Sequence, residues 1–349
     1  MMVREFGFSI GLTVICLVLA TVYGFNAGGA ATAFSYFTIA VILGVMELSL
    51  SFDNAVVNAS VLKNMSPVWQ QRFLTWGILI AVFGMRFVFP IVIVAVVANL
   101  GFLEVLNMAF TDSARYAKEL TSAEVPISAF GGTFLMLVFL KYLMDPEKDT
   151  HWIVGLEKRL ASIGRLDTIQ VFITGVLLLL CVQFLVPGEE RLSALTSGMV
   201  GILVYVFVDA LGGLFDSDNM AANAGKAGLA SFIYLEVLDA SFSLDGVIGA
   251  FAITRDVVVI AAGLCIGAAF VRSITLLLVK SDTLKAYRYL EHGAHYGIGA
   301  LATIMLLSMS HDIHIPELIT GLIGVAFIVV SIYSSMQYNK RNPEALKND

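Results

Sequence analysis

Apolar residues run through this chain in long blocks that polar residues interrupt only briefly, with no strand-like alternation inside a block. A helix that crosses a bilayer needs about 20 mainly apolar residues, with a range of about 17–25. Blocks of this kind lie at 6–24, 34–62, 73–100, 127–144, 168–187, 195–215, 228–252, 256–279, 296–310 and 315–336. The breaks between them carry turn or charge signals: Pro67, Pro126, Asp145-Pro146, Pro187-Gly188, the polar run from Lys280 to His292, and Pro316. Lipid offers no partner to an open strand edge, so the blocks predict helices. The lack of alternation argues against a barrel. The pattern therefore predicts an all-α polytopic membrane protein of about ten transmembrane helices. The first block follows Arg4 and precedes Asn26-Ala27-Gly28-Gly29-Ala30-Ala31, a signal-peptide-like arrangement. It is long enough to cross, and is read as an uncleaved first span.

Composition agrees. Of 349 residues, 58% are hydrophobic and 14% charged, against about 25% charged in soluble domains. A soluble fold cannot cover that much apolar surface. No basic stripe points to nucleic acid, and no HExxH, Gly-x-Ser-x-Gly or P-loop sequence points to an enzyme. The three cysteines, Cys16, Cys181 and Cys265, fall in different blocks without CxxC spacing and read as packing or lipid-facing residues.

Charge then sets an orientation. Of the 21 lysines and arginines, Arg115, Lys118, Arg191 and Arg255 fall on one side of the ten spans, Arg86 and Arg272 fall inside spans, and the remaining fifteen fall on the other side. The positive-inside rule places both termini in the cytoplasm of a cell inner (plasma) membrane.

The polar exceptions inside the blocks carry the chemistry. Glu47-Leu48-Ser49-Leu50-Ser51-Phe52-Asp53-Asn54 matches Asp239-Ala240-Ser241-Phe242-Ser243-Leu244-Asp245-Gly246 position by position. A carboxylate near the bilayer centre costs at least about 2.5–3.5 kcal/mol on insertion scales, so four such acids call for a bound cation or proton. On this topology the two copies run antiparallel. Gly77 and Arg86 after the first motif recur as Gly263 and Arg272 after the second, with the same nine-residue step. The chain thus reads as a 5+5 inverted repeat: 1–190 the first repeat, 191–337 the second, and 338–349 a cytoplasmic tail. In such folds the site lies near the midplane where the repeats meet.

Helical spacing joins Glu47 to Ser51, Ser49 to Asp53, and Glu47 to Asn54 and Asn58. On the second copy it joins Glu236, Asp239 and Ser243, with Ser241 and Asp245 beside them. Facing each other, the two stripes offer six oxygen ligands. Oxygen-only sites suit Mg, Ca or Mn. Glu47, Ser49, Ser51, Asp53, Asn54, Glu236, Asp239, Ser241, Ser243 and Asp245 are therefore the candidate metal ligands. Helix–helix glue is the competing role for the serines and Asn58. Arg86 and Arg272 are candidate counter-ions, and Asp209, deep in the sixth span, a candidate coupling residue. Metal–proton exchange is physically available. Asp216, Asp218 and Asn219 are expected to be loop residues. His292/His295 and His311/His314 have i, i+3 spacing but lack four ligands. The segment 149–165 sets Trp152, Leu156, Leu160 and Ile163 against Lys158, Arg159 and Arg165, an amphipathic helix expected at the membrane interface.

At the two motifs, at Leu235-Glu236-Val237-Leu238 before the second and at Ala250-Phe251-Ala252-Ile253-Thr254 after it, the chain resembles the TerC family of integral membrane proteins. Members are associated with tellurium resistance and with export of divalent metal, chiefly manganese. The resemblance covers about a third of the chain and implies a longer branch of that family, with Mn2+ as substrate. It departs from the family pattern Ser-Ile-Pro-Ala, which stands here as Gly246-Val247-Ile248-Gly249. Two other functions compete. A scaffold or insertion partner would use the acids only as glue. A transporter of another small cationic substrate would use Phe52 and Phe242 as cage residues.

Overall fold

A computed structural model describes residues 2–342 except 78, 165, 167, 216–219, 281–282 and 314. Side chains at 2–5, 212–215, 220–227, 244–245, 283, 285 and 317–318 are likewise outside the description. The predicted Asp216, Asp218, Asn219 and His314 lie outside the described residues, as does the side chain of Asp245.

Among the described residues the chain is helical throughout, without strands. The α-helices are α1 (Met2–Leu50), α2 (Phe52–Leu62), α3 (Pro67–Arg72), α4 (Phe89–Val97), α5 (Phe102–Thr111), α6 (Ser113–Ser122), α7 (Glu124–Leu143) and α8 (Val154–Ile163). They continue as α9 (Ile169–Phe184), α10 (Arg191–Phe215), α11 (Met220–Ile253), α12 (Val257–Lys280), α13 (Thr283–Ala286), α14 (Leu290–Leu307) and α15 (Glu317–Arg341). Between α3 and α4 the chain winds as two π-helical stretches, Phe73–Gly77 and Ile80–Val88. Among the described residues, six helices are long and apolar enough to cross a membrane: Phe6–Leu50, Ile80–Val97, Glu124–Leu143, Arg191–Leu211, Val257–Lys280 and Ile319–Arg341. The protein is thus a membrane-embedded helical protein in contact with lipid.

The 45 residues of Phe6–Leu50 would stretch to about twice the roughly 30 Å of a bilayer's hydrocarbon core if straight. They fold back instead. Gly28 and Gly29 leave helical geometry, and Gly29 takes φ 74°, a left-handed conformation that only glycine adopts without strain. The two arms close on each other through Ala20, Ala40, Leu17, Tyr36 and Ile39, with Tyr23 stacked on Tyr36. The second arm then breaks at Ser51, so the first motif straddles the junction of α1 and α2.

The largest core lies where α7, α9, α10, α11 and α14 meet, around Phe134, Leu137, Leu178, Leu238 and Leu301. Buried apolar surface here is packing against protein, whereas Phe34, Phe172, Phe184 and Leu192 point outward, as a lipid-facing shell requires. The segment between the third and fourth predicted spans is two short helices, α5 and α6. Asp112 caps α6 by accepting from the Arg115 backbone N–H at 3.1 Å. Val105, Met108, Tyr116 and Leu120 lay these helices on Leu43, Ile91, Val247 and Leu264.

A candidate ion site where the two motifs meet

Glu47, at the end of α1, and Asp239, in the middle of α11, are both buried. A single guanidinium joins them. Arg86 Nη2 lies 2.5 Å from Glu47 Oε1, and Nη1 lies 3.4 Å from Asp239 Oδ2. Arg86 sits in the second π-helical stretch, and its Nη1 also donates back to the Ala81 carbonyl at 2.5 Å. The wider π turn leaves that carbonyl open to the side chain, a deviation that concentrates at functional positions.

The motifs also touch crosswise. Asn54 Nδ2, at the end of the first motif, donates to Asp239 Oδ1, at the start of the second, at 2.8 Å. Gly246, at the end of the second, lies directly against Glu47 Oε2, with no room for a Cβ. Ser51 Oγ donates to Glu47 Oε1 at 3.0 Å.

Beside this cluster is a cavity of about 40 Å³, lined in part by Glu236, Asp239, Asn58, Arg86, Arg272 and Thr275. At about 10–15 Å³ per water-sized sphere it holds about three or four. Glu236 reaches it from α11 across Gly77, where a Cβ would lie 2.8 Å from its Oε1. Neither Glu236 oxygen has a hydrogen-bond partner, and Asn58 Oδ1, Asn54 Oδ1, Arg86 Nε and Ser243 Oγ are likewise unpartnered. Buried polar atoms are normally satisfied, so this concentration of orphans marks a place built for something other than packing.

Of the remaining predicted residues, Arg272 also lines this cavity, whereas Asp53, Ser49, Ser241 and Asp209 do not. Asp53 takes the backbone N–H of Asn54 on Oδ1 at 2.9 Å and turns its other oxygen towards Gly297 of α14 and Gly324 of α15. Ser49 and Ser241 donate to their own helix, to the Val45 and Val237 carbonyls. Arg272 donates to the Leu74 carbonyl at 2.8 Å and lies over the Phe8 ring. Asp209 is exposed and pairs with Lys141 at 3.5 Å. Among the described residues no three His, Cys, Asp or Glu side chains stand close enough together to hold a metal ion. The cysteines are free.

Sequence reasoning missed one centre. Glu157, on α8, is fully buried. Its Oε1 accepts from the backbone N–H groups of Trp152 and Ile153 and from Tyr296 OH, at 3.1, 3.0 and 3.2 Å. Its Oε2 pairs with Lys148 at 3.0 Å and lies 3.5 Å from His292 Nε2. Burial opposes its ionisation, but His292, the Ile153 N–H and Lys148 outweigh burial and hold the carboxyl well below the usual glutamate range. The predicted amphipathic segment is thus pinned to α14 by a polar staple, while Leu156 and Ile163 stay exposed. Of the histidine pairs, His292 also contacts the Thr150 carbonyl and His295 stacks on Tyr142. His311 contacts Glu190. No pattern of spacing in the sequence points to Glu157, because its partners come from the segment before α8 and from α14.

Neither the curated proteins nor the solved structures hold a match to this chain. Residues 52–342, from the break inside the first motif through α15, match the family model described as "Protein of unknown function (DUF475)", and the chain belongs to that family.

Proposed function

We propose that this protein is an inner-membrane transporter that moves a hard divalent cation outward, with manganese, the ion implied by the resemblance to TerC proteins, as its substrate. One observation carries the reading. The first acids of the two motif copies are brought together on one buried arginine, beside a cavity into which a carboxylate with no partner projects. Of the described charged side chains in the motif helices and the segments that follow them, four acids (Glu47, Asp53, Glu236, Asp239) are buried against one buried cation, Arg86. That excess selects a cation over an oxyanion. All the candidate donors are oxygens, which suits Mn or Mg over Zn or Cu.

The reading includes ten spans in a 5+5 inverted repeat with both termini cytoplasmic. The packing supports the repeat. Helix α2 lies on α12 and α14, and α11 lies correspondingly on the π-helical stretch Ile80–Val88 and on α7. The crosswise contacts Asn54–Asp239 and Gly246–Glu47 are each other's counterparts under the same exchange. Rocking of one repeat against the other would expose the shared site to each side in turn, with protons as the returning charge. A scaffold reading accounts for the Arg86 triad as glue, but gives Glu236 no role.

The test is flux. Purified protein in vesicles should move Mn2+ down an imposed gradient with an opposing pH change, and cells lacking the protein should hold more manganese under load. No metal flux under any gradient would overturn the reading.

A further inference from the structure

The two motif copies are not equivalent, and the inequality says which part of the site takes the ion. When Glu47 is aligned with Asp239, the position of Glu236 corresponds to Gly44. The surroundings correspond too. Glu236 packs against Gly77, and Gly44 packs near the Gly263 carbonyl, 3.4 Å from where its Cβ would be. The first repeat closes this contact with two glycines. The second opens it with a carboxylate, and the cavity lies there. Glu236 is 8% exposed and Asn58 5%. Both line the cavity, and both Glu236 oxygens and Asn58 Oδ1 are unpartnered.

The arginine is also unequally shared. Its arm to Glu47 is 2.5 Å long and its arm to Asp239 is 3.4 Å. Asp239 is therefore the acid from which Arg86 is more easily removed, and it is the one that lines the cavity.

Resting on the cation-transporter reading, we propose that Glu236, Asp239 and Asn58 form the ion's seat, and that Arg86 is its built-in competitor, sharing Asp239 until a divalent cation takes that carboxylate and leaves the guanidinium on Glu47. Two carboxylates neutralise a divalent ion. The Asn58 amide oxygen and water complete an oxygen shell of the kind Mn2+ and Mg2+ accept. Every cation that binds must displace an internal one. Affinity is therefore held down, which a transporter needs if it is to release its cargo.

The experiment is a titration of the purified full-length protein with Mn2+ alone, reading bound metal from loss of the free-ion electron paramagnetic resonance signal. The E236Q variant keeps the side chain's shape and removes its charge. It should bind at least about tenfold more weakly, the scale of one charged-oxygen interaction. The R86K variant keeps the charge but not the fork that spans two carboxylates. It frees Asp239 and should bind several-fold more tightly. Should R86K fail to give monodisperse protein, R86Q purified with Mn2+ present replaces it. The metal must then raise the thermal stability of R86Q more than that of the wild type.

Wild-type binding with E236Q unchanged places the seat elsewhere and overturns the proposal, while leaving the transporter reading intact. Folded R86K that binds as the wild type does, or more weakly, overturns Arg86 as competitor, and so does R86Q that gains no more stability from Mn2+ than the wild type. A wild type that neither binds nor moves Mn2+ overturns the proposal and the transporter reading together.

Discussion

Glu157 and Glu236 are the same residue type, both buried, and they are opposites. Glu157 accepts three hydrogen bonds on Oε1 and ion-pairs with Lys148 through Oε2 at 3.0 Å, whereas Glu236 has neither a hydrogen bond nor an ion pair on either oxygen among the described residues. Burial therefore does not separate a staple from a site; satisfaction does. A carboxylate with one oxygen fully hydrogen-bonded and the other ion-paired to a lysine fixes one segment to another. An unsatisfied carboxylate on a cavity holds free energy in reserve for a ligand that supplies the missing positive charge.

The contrast can be broken by mutation, and the largest effect falls on the acids of the motifs. Asp239→Ala removes the acceptor of both Asn54 and Arg86, and transport in vesicles should fall to background, a loss of about 100-fold or more given the cost of an uncompensated buried charge. Asp53 faces Gly297 and Gly324 rather than the cavity, so Asp53→Ala should reduce flux less than Asp239→Ala does. An equal loss would place Asp53 on the ion's path.

The staple should fail differently. Glu157→Ala leaves Lys148 and His292 without their carboxylate and should cost about 3–5 kcal/mol of stability, read as a lower apparent melting temperature, with flux per folded molecule retained. Its pH dependence follows from the direction of the shift. The folded-state pKa is depressed, so the contribution is complete above the unfolded value of about 4.3 and is lost as pH falls below it. Wild-type protein should lose melting temperature between about pH 5 and about pH 3, where Glu157→Gln shows a shallower slope.

Much of this contrast was readable in the chain, and part was not. The alignment of the two motifs already pairs Glu47 with Asp239 and Asn54 with Gly246, and the structure joins those four crosswise. The helical class and the apolar blocks follow from hydropathy, which depends only on local composition. The π-helical winding before Arg86 does not, because it depends on a side chain reaching back to the Ala81 carbonyl and across to two other helices. An unbroken helix over 34–62 would put Asp53 in one stripe with Ser49. The break at Ser51 turns Asp53 towards α14 and α15 instead. Glu157 was invisible for the same reason as the π turn: its partners are brought together only by the fold.

Smaller effects sharpen the picture on the first motif. Ser51 donates to Glu47, so Ser51→Ala should weaken transport mildly, by the roughly 1 kcal/mol of one hydrogen bond. Ser49 donates only to its own helix, so Ser49→Ala should stay within about 0.5 kcal/mol of wild-type stability and leave flux unchanged. A strong effect at Ser49 would show that the serine stripe, and not the crosswise contact, organises the site.

The most direct test sets the two glutamates side by side. Glu236→Gln and Glu157→Gln are reconstituted at equal folded amounts and Mn2+ flux into vesicles is measured for each. Glu236→Gln should lose flux while melting near the wild-type temperature, and Glu157→Gln should keep flux while melting lower. Near-normal flux in Glu236→Gln would contradict the assignment of its unpartnered carboxylate to the ion.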